Sequence, residues 1–209
     1  MLTLTCGAVL FDMDGTLVDS TKCVEAVWQR WAEHHQLDLQ NVLDASHGRR
    51  TIDTLRELRR QFAVELDVEK EAVLLEADEL GARDGIVAVN GAAALLEGLP
   101  ADRWAVVTSA GRDLAAERLR HAGLPVPPVL ISADDVAHGK PDPEGYLKAA
   151  AALGVAPQRC LVVEDTPPGL MAGRAAGMQV LGITTTYPWG RLLGAVCVAD
   201  LCEVRIQIT

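Results

Sequence analysis

Five short apolar runs constrain this chain's fold more than any other feature: AVLF at residues 8–11, WAVV at 104–107, VLI at 129–131, LVV at 161–163 and VLGI at 180–183. Each is too short for a helix. None alternates apolar with polar residues, so each reads as a strand buried on both faces. Ala-rich segments with helical spacing lie among them, at residues 92–99, 114–121, 145–153 and 170–176. Gly123, Gly154 and Gly177 follow the last three, where the chain leaving a helix favours glycine. Strands alternating with helices predict a doubly wound α/β domain, a parallel sheet covered on both sides. With 49% apolar residues in 209, the chain has ample material for that core.

From about Ser20 to Arg83 the alternation stops, and no strand-like run occurs. Val24, Val27, Trp28 and Trp31 share one helical face. Ile52, Leu55 and Leu58 begin a second stripe, and Val73, Leu74 and Ala77 a third. Three helices inserted after the first strand are expected to form a small bundle over the C-terminal edge of the sheet. The Glu-rich stretch from Glu65 to Glu79 reads as its solvated face. The implied division is a core of residues 1–18 and 86–209 with a helical cap at 19–85.

A net charge of −10 opposes a nucleic-acid partner, because such binding relies on Lys and Arg neutralising phosphates. It does not oppose a small anionic metabolite, since a few cations can reverse the field inside a cleft. The five cysteines lack C-x-x-C spacing, which argues against zinc and disulfide roles and for a reducing, cytoplasmic setting. No basic residue precedes Lys22, and no apolar run approaches about 18 residues, so neither a signal peptide nor a membrane span is expected. A monomer is expected.

In doubly wound folds ligands bind beyond the C-terminal ends of the strands. Asp12, Asp14 and Thr16 follow the first run, Thr108 and Ser109 the second, and Glu164 and Asp165 the fourth. Lys140 lies in the loop after the third. Taken singly, each has an ordinary structural use as a turn, a cap or a surface lysine. Together they form a hard oxygen-donor set with one cation, which suits Mg²⁺ and a phosphate group. One N-terminal carboxylate could attack phosphorus while the other handles the proton on the ester oxygen.

Asp12-Met13-Asp14-Gly15-Thr16, Thr108-Ser109, Lys140-Pro141 and Glu164-Asp165 resemble the four motifs of the haloacid dehalogenase (HAD) superfamily of phosphohydrolases. The resemblance spans essentially the whole chain, and the spacing matches members with a helical cap between the first and second motifs. The stretches at residues 46–51, 103–109 and 139–143 are similar to the sugar-phosphatase and glycerol-3-phosphatase branch.

The resemblance implies that Asp12 is a nucleophile forming an aspartyl-phosphate and also a Mg²⁺ ligand. It implies that Asp14 is the proton carrier, with its backbone carbonyl on the metal. Thr108, with Ser109, Ala110 and nearby backbone N–H groups, would hold the phosphoryl oxygens, and Lys140 would offset charge. Asp165 would complete the metal shell, with Glu164 acting on the metal through water. Two positions depart from the common pattern: Ala110 stands where relatives carry Gly, and Pro168 where they carry a small residue. His47, Gly48, Arg49, Arg50 and Thr51 would contact the leaving-group part of the substrate, a small phosphorylated sugar or polyol.

A phosphohexomutase of the β-phosphoglucomutase type is the alternative, although that group often has Val where this chain has Thr16. A dehalogenase would need neither Asp14 nor Asp165. A receiver-type signalling module would carry its acidic pair ahead of the phosphorylated Asp and would lack the helical insert.

Overall fold

Strand β1 (Leu2–Cys6) and strand β2 (Ala8–Phe11) open the chain, with Gly7 between them. The structure, a computed structural model, describes every residue from Met1 to Thr209. After β2 a tight turn leads into the short β3 (Val18–Asp19). Four helices follow: α1 (Thr21–His34), α2 (Leu39–Ser46), α3 (Thr51–Phe62) and α4 (Val68–Gly81). The chain returns through β4 (Val87–Ala88), antiparallel to β3, so both passages between sheet and insertion lie side by side.

From Ala92 to Ile183 the remainder alternates helix and strand. In order come α5 (Ala92–Glu97), β5 (Trp104–Val107), α6 (Arg112–His121), β6 (Leu130–Ile131) and α7 (Glu144–Leu153). Then follow β7 (Cys160–Glu164), α8 (Pro167–Ala175), β8 (Gln179–Ile183), β9 (Val196–Val198) and β10 (Val204–Ile208). All five apolar runs become strands of one six-stranded parallel sheet ordered β6-β5-β2-β7-β8-β9. Strand β2 is central, and its side chains divide between two cores. Val9 and Phe11 pack with Trp104, Val106 and Leu119, while Ala8 and Leu10 pack with Tyr146, Ala149 and Val162 on the opposite face. No helix is long and apolar enough to cross a membrane. All five cysteines are free thiols, and Cys6 and Cys160 are buried as expected.

Strands β1 and β10 were not among the expected elements. They pair in parallel as a separate two-stranded ladder. In β1, Leu2 and Leu4 are partly buried while Thr3 and Thr5 are exposed, the alternation of a half-buried strand, which a search for continuous apolar runs passes over.

The insertion has four helices where three were expected. The extra one is α2, eight residues long, whose N-cap Asp38 accepts a hydrogen bond from the Asn41 N–H. The four helices enclose their own apolar cluster around Trp28, Trp31, Val42, Leu55 and Leu58. The stripe expected on α4 is corrected: Val73 and Leu74 are exposed, and Val68, Ala72, Leu75 and Glu79 face inward at i, i+4, i+7 and i+11 spacing. Apolar residues lie on several sides of α4, so periodicity alone did not select the buried one. Glu79 belongs to the inward side rather than to a solvated face.

Candidate active site

The central position of β2 brings the ends of β5 and β7 to either side of Asp12. The Asp12 N–H still bonds the Val163 carbonyl of β7 at 3.0 Å, so the sheet ladder extends to the carboxylate that follows it. Asp165 stands one residue past β7, and Thr108 one residue past β5. All three are buried. Lys140, on the loop between β6 and α7, reaches this edge from the side and is itself buried.

The ammonium of Lys140 donates to three acceptors: Asp12 Oδ1, Glu164 Oε1 at 2.7 Å and the Val107 carbonyl at 3.1 Å. Glu164 is saturated. Its Oε1 also accepts from the Tyr146 hydroxyl at 3.0 Å, and its Oε2 accepts from the N–H groups of Asp165 and Thr166 and from the Thr166 hydroxyl. A Cβ on Gly169 would collide with that carboxylate, so glycine is required there. Glu164 thus acts as a buried anchor for Lys140 and for the turn into α8. One of its oxygens nonetheless lies within 4.8 Å of oxygens of Asp12 and Asp165.

Asp165 accepts from the Thr16 hydroxyl at 3.2 Å. Gly15, at φ +80°, lets the turn after β2 pass directly over the Asp165 carboxylate, whose Oδ2 occupies the space a side chain would need. Pro168 costs this end of the site nothing. It lies in the first turn of α8, where an N–H has no helical partner, and the Thr166 side chain caps the Gly169 N–H instead.

Asp12, Glu164 and Asp165 offer oxygens that all lie within 4.8 Å of one another. Burial pushes the Asp12 carboxyl up to about 8, with Lys140 pulling down and the Glu164 and Asp14 charges pushing up. Burial, then the neighbouring Glu164 and Asp12 charges, likewise raises Asp165 well above the carboxylate range. Lys140 remains charged: burial opposes its charge, but Asp12 and Glu164 outweigh that and raise its pKa. One ammonium bonds two of three buried carboxylates and leaves Asp165 without a paired cation, so the cluster is short of positive charge. A divalent cation fits that deficit, and hard oxygen donors suit Mg²⁺.

Thr108 Oγ1 accepts from the Ala110 N–H at 3.1 Å, forming a small turn. The Ser109 hydroxyl donates to the Gly48 carbonyl at 3.1 Å, so it links this loop to the helical insertion. Above these residues opens a cavity whose floor includes Asp12, Thr108 and Asp165. Ser109 and Ala110 also line it, and its walls include Asp14, Ser20, His47, Gly48, Arg49, Thr51, Glu76 and Glu79. The His47 ring packs edge-on against Tyr187 with centroids 5.7 Å apart, and burial lowers the imidazole pKa.

Arg50 does not join His47, Gly48 and Arg49 at this cavity. Its Nε bonds Asp53 at 2.6 Å and its Nη1 the Val136 carbonyl at 3.1 Å, so it fastens the start of α3 to the loop that carries Lys140. Sequence reasoning missed Tyr146, Glu79 and Arg118. Tyr146 resembled an ordinary core aromatic, and no local pattern distinguished the other two from surface charges.

The haloacid dehalogenase-like hydrolase family matches residues 6–177. The chain belongs to that family. It is 42% identical over 194 residues to hexitol phosphatase A of Escherichia coli (strain K12), covering 90% of this chain and 88% of that protein. It is 38% identical over 199 residues to glycerol-1-phosphate phosphohydrolase 2 of Saccharomyces cerevisiae, covering 89% and 78% respectively. Among solved structures, a β-phosphoglucomutase from Clostridium difficile superposes with a TM-score of 0.83 over 96% of this chain and 93% of that one. At 21% identity, that likeness speaks for the fold alone. This HAD hydrolase is a phosphatase, and a divalent metal is the usual cofactor of such phosphatases.

Proposed function

We propose that this phosphatase is Mg²⁺-dependent and hydrolyses small phosphorylated sugars or polyols through an aspartyl-phosphate on Asp12. The observation that carries the reading is the shared burial of Asp12 and Asp165 at the ends of adjacent strands, with buried Lys140 reaching Asp12 from a loop, beneath a cavity lined mostly by polar residues. Relatives named for hexitol and glycerol phosphates support the substrate class.

In this reading Asp12 and Asp165 would hold the cation, which when bound would neutralise carboxylate and phosphate charge that otherwise repels. Lys140 occupies Asp12 Oδ1 and leaves Oδ2 to attack phosphorus, while Glu164 keeps the ammonium aimed. Thr108 and the backbone N–H groups after β5 take the phosphoryl oxygens. Asp14 passes a proton to the leaving alcohol and then removes one from the water that cleaves the acyl phosphate. Residues 19–85 act as a cap over a core of residues 1–18 and 86–209. From that cap His47, Gly48 and Arg49 face the alcohol portion of the substrate.

The test is phosphate release across sugar, polyol and nucleotide monophosphates, with Mg²⁺ and after EDTA. Asp12→Asn and EDTA should each abolish turnover, with a loss of at least about 1,000-fold, and Mg²⁺ should restore the chelated enzyme. Full activity of Asp12→Asn would remove the nucleophile assignment. A requirement for a sugar bisphosphate, with no net phosphate release, would indicate a mutase instead.

A further inference from the structure

Arg118, on α6, is 3% exposed and ion-paired to two carboxylates at once. Its Nη1 donates to Asp14 Oδ2 at 3.0 Å and its Nη2 to Glu79 Oε2 at 2.9 Å. Its Nε meets no acceptor. The other oxygen of Asp14 accepts from the Ser20 hydroxyl at 2.6 Å. Both oxygens of Asp14 are therefore held, and two carboxylates are the hydrogen-bonded charged partners of the guanidinium. The three charged partners come from separate parts of the fold. Asp14 follows β2, Arg118 belongs to α6 beside the sheet, and Glu79 lies on the inward side of α4 in the helical insertion.

Apolar side chains would join α4 to α6 at lower desolvation cost than a buried ion triad. A contact that serves adhesion alone also has no reason to include Asp14.

We propose that Arg118 is a positioning residue that ties the placement of Asp14 to the seating of α4, with Glu79 as the sensing group. With α4 seated, Glu79 fixes one arm of the guanidinium and points the other at Asp14. With α4 displaced, Arg118 loses one counter-charge and Asp14 loses a fixed neighbour. The proton carrier is then fully placed only when the insertion covers the cavity. The inference rests on the reading of Asp14 as proton carrier and adds to it the device that positions it.

Two substrates separate this role from plain structural support. Glycerol phosphate has an alkoxide leaving group that needs a proton, whereas 2,4-dinitrophenyl phosphate does not. Glu79→Gln and Arg118→Lys should each lower kcat on glycerol phosphate about 10-fold, and change the burst of dinitrophenol by less than about 2-fold. In an Asp14→Asn background neither change should add a further loss, because both act through that carboxylate. Circular dichroism and Tm confirm folding, and the near-isosteric Glu79→Gln carries the test if Arg118→Lys does not fold. Equal losses on both substrates, or losses that add to that of Asp14→Asn, would overturn the proposal while leaving the proton-carrier reading intact. Unchanged glycerol phosphate turnover in Asp14→Asn alone would instead remove the proton-carrier reading, and the inference with it.

Discussion

The two sides of the cavity are built on opposite principles. Its floor consists of side chains one residue past parallel strands, and beneath it Lys140 and Glu164 spend their hydrogen bonds on one another, on Asp12 and other buried side chains, and on backbone. Its opposite wall, at residues 47–49, is a turn between two helices, with Arg49 exposed and Gly48 at φ +76°. A phosphoryl group has one geometry and tolerates little error in its surroundings. The alcohol attached to it varies, and a turn can change its side chains without disturbing a core. Under the proposed function, the contrast assigns the shared reaction to the floor and the choice of substrate to the wall.

That division can be broken or sharpened experimentally. The largest effect is expected from Lys140→Met, which leaves Asp12 and Glu164 without their ammonium. The value of kcat/KM should fall about 100- to 1,000-fold on every phosphate ester alike, and a loss restricted to some substrates would break the division. Next, Glu164→Gln should lower folding stability by about 3–5 kcal/mol in urea unfolding, since it removes one partner of a buried pair and presents an amide to backbone donors. On the wall, Arg49→Ala should cost about 10-fold in kcat/KM on the preferred sugar or polyol phosphate and little on an aryl phosphate. Arg50→Ala should show no such selectivity, because that side chain is committed to Asp53 and Val136.

The smallest effect is a pH dependence. Burial holds the His47 pKa below its ordinary 6.5, so the unfolded chain binds the proton more readily than the folded one. The folded state therefore loses stability as pH falls below about 6.5. His47→Gln should flatten that part of a stability–pH curve measured by urea unfolding, and an unchanged slope would show that other groups carry it.

The core strands were legible in the sequence because a strand buried on both faces leaves a continuous apolar run, and the polar residues after such runs mark the edge that carries the candidate site. Strands β1 and β10 were less visible because each hides only one face. Helix α4 was legible as a helix but not in its rotation, since apolar residues on several sides make periodicity ambiguous. Charge pairing was the least legible. Arg118 meets Asp14 across 104 positions and Glu79 across 39, and no local pattern records such partners.

What the sequence determined alone is the set of parts: five buried strands, their flanking helices, an insertion after the first strand, and the carboxylates, hydroxyls and lysine of the four motifs. These follow from spacing over a few residues, which fixes local backbone shape. The tertiary structure decided the strand order β5-β2-β7, which places Asp12 between Thr108 and Asp165. It also decided which charges are satisfied, making Glu164 an anchor, Arg50 a fastener and Arg118 a link between α4 and Asp14. Those outcomes depend on burial and on distances between residues far apart in the chain, and they exist only once the sheet has closed around its two cores.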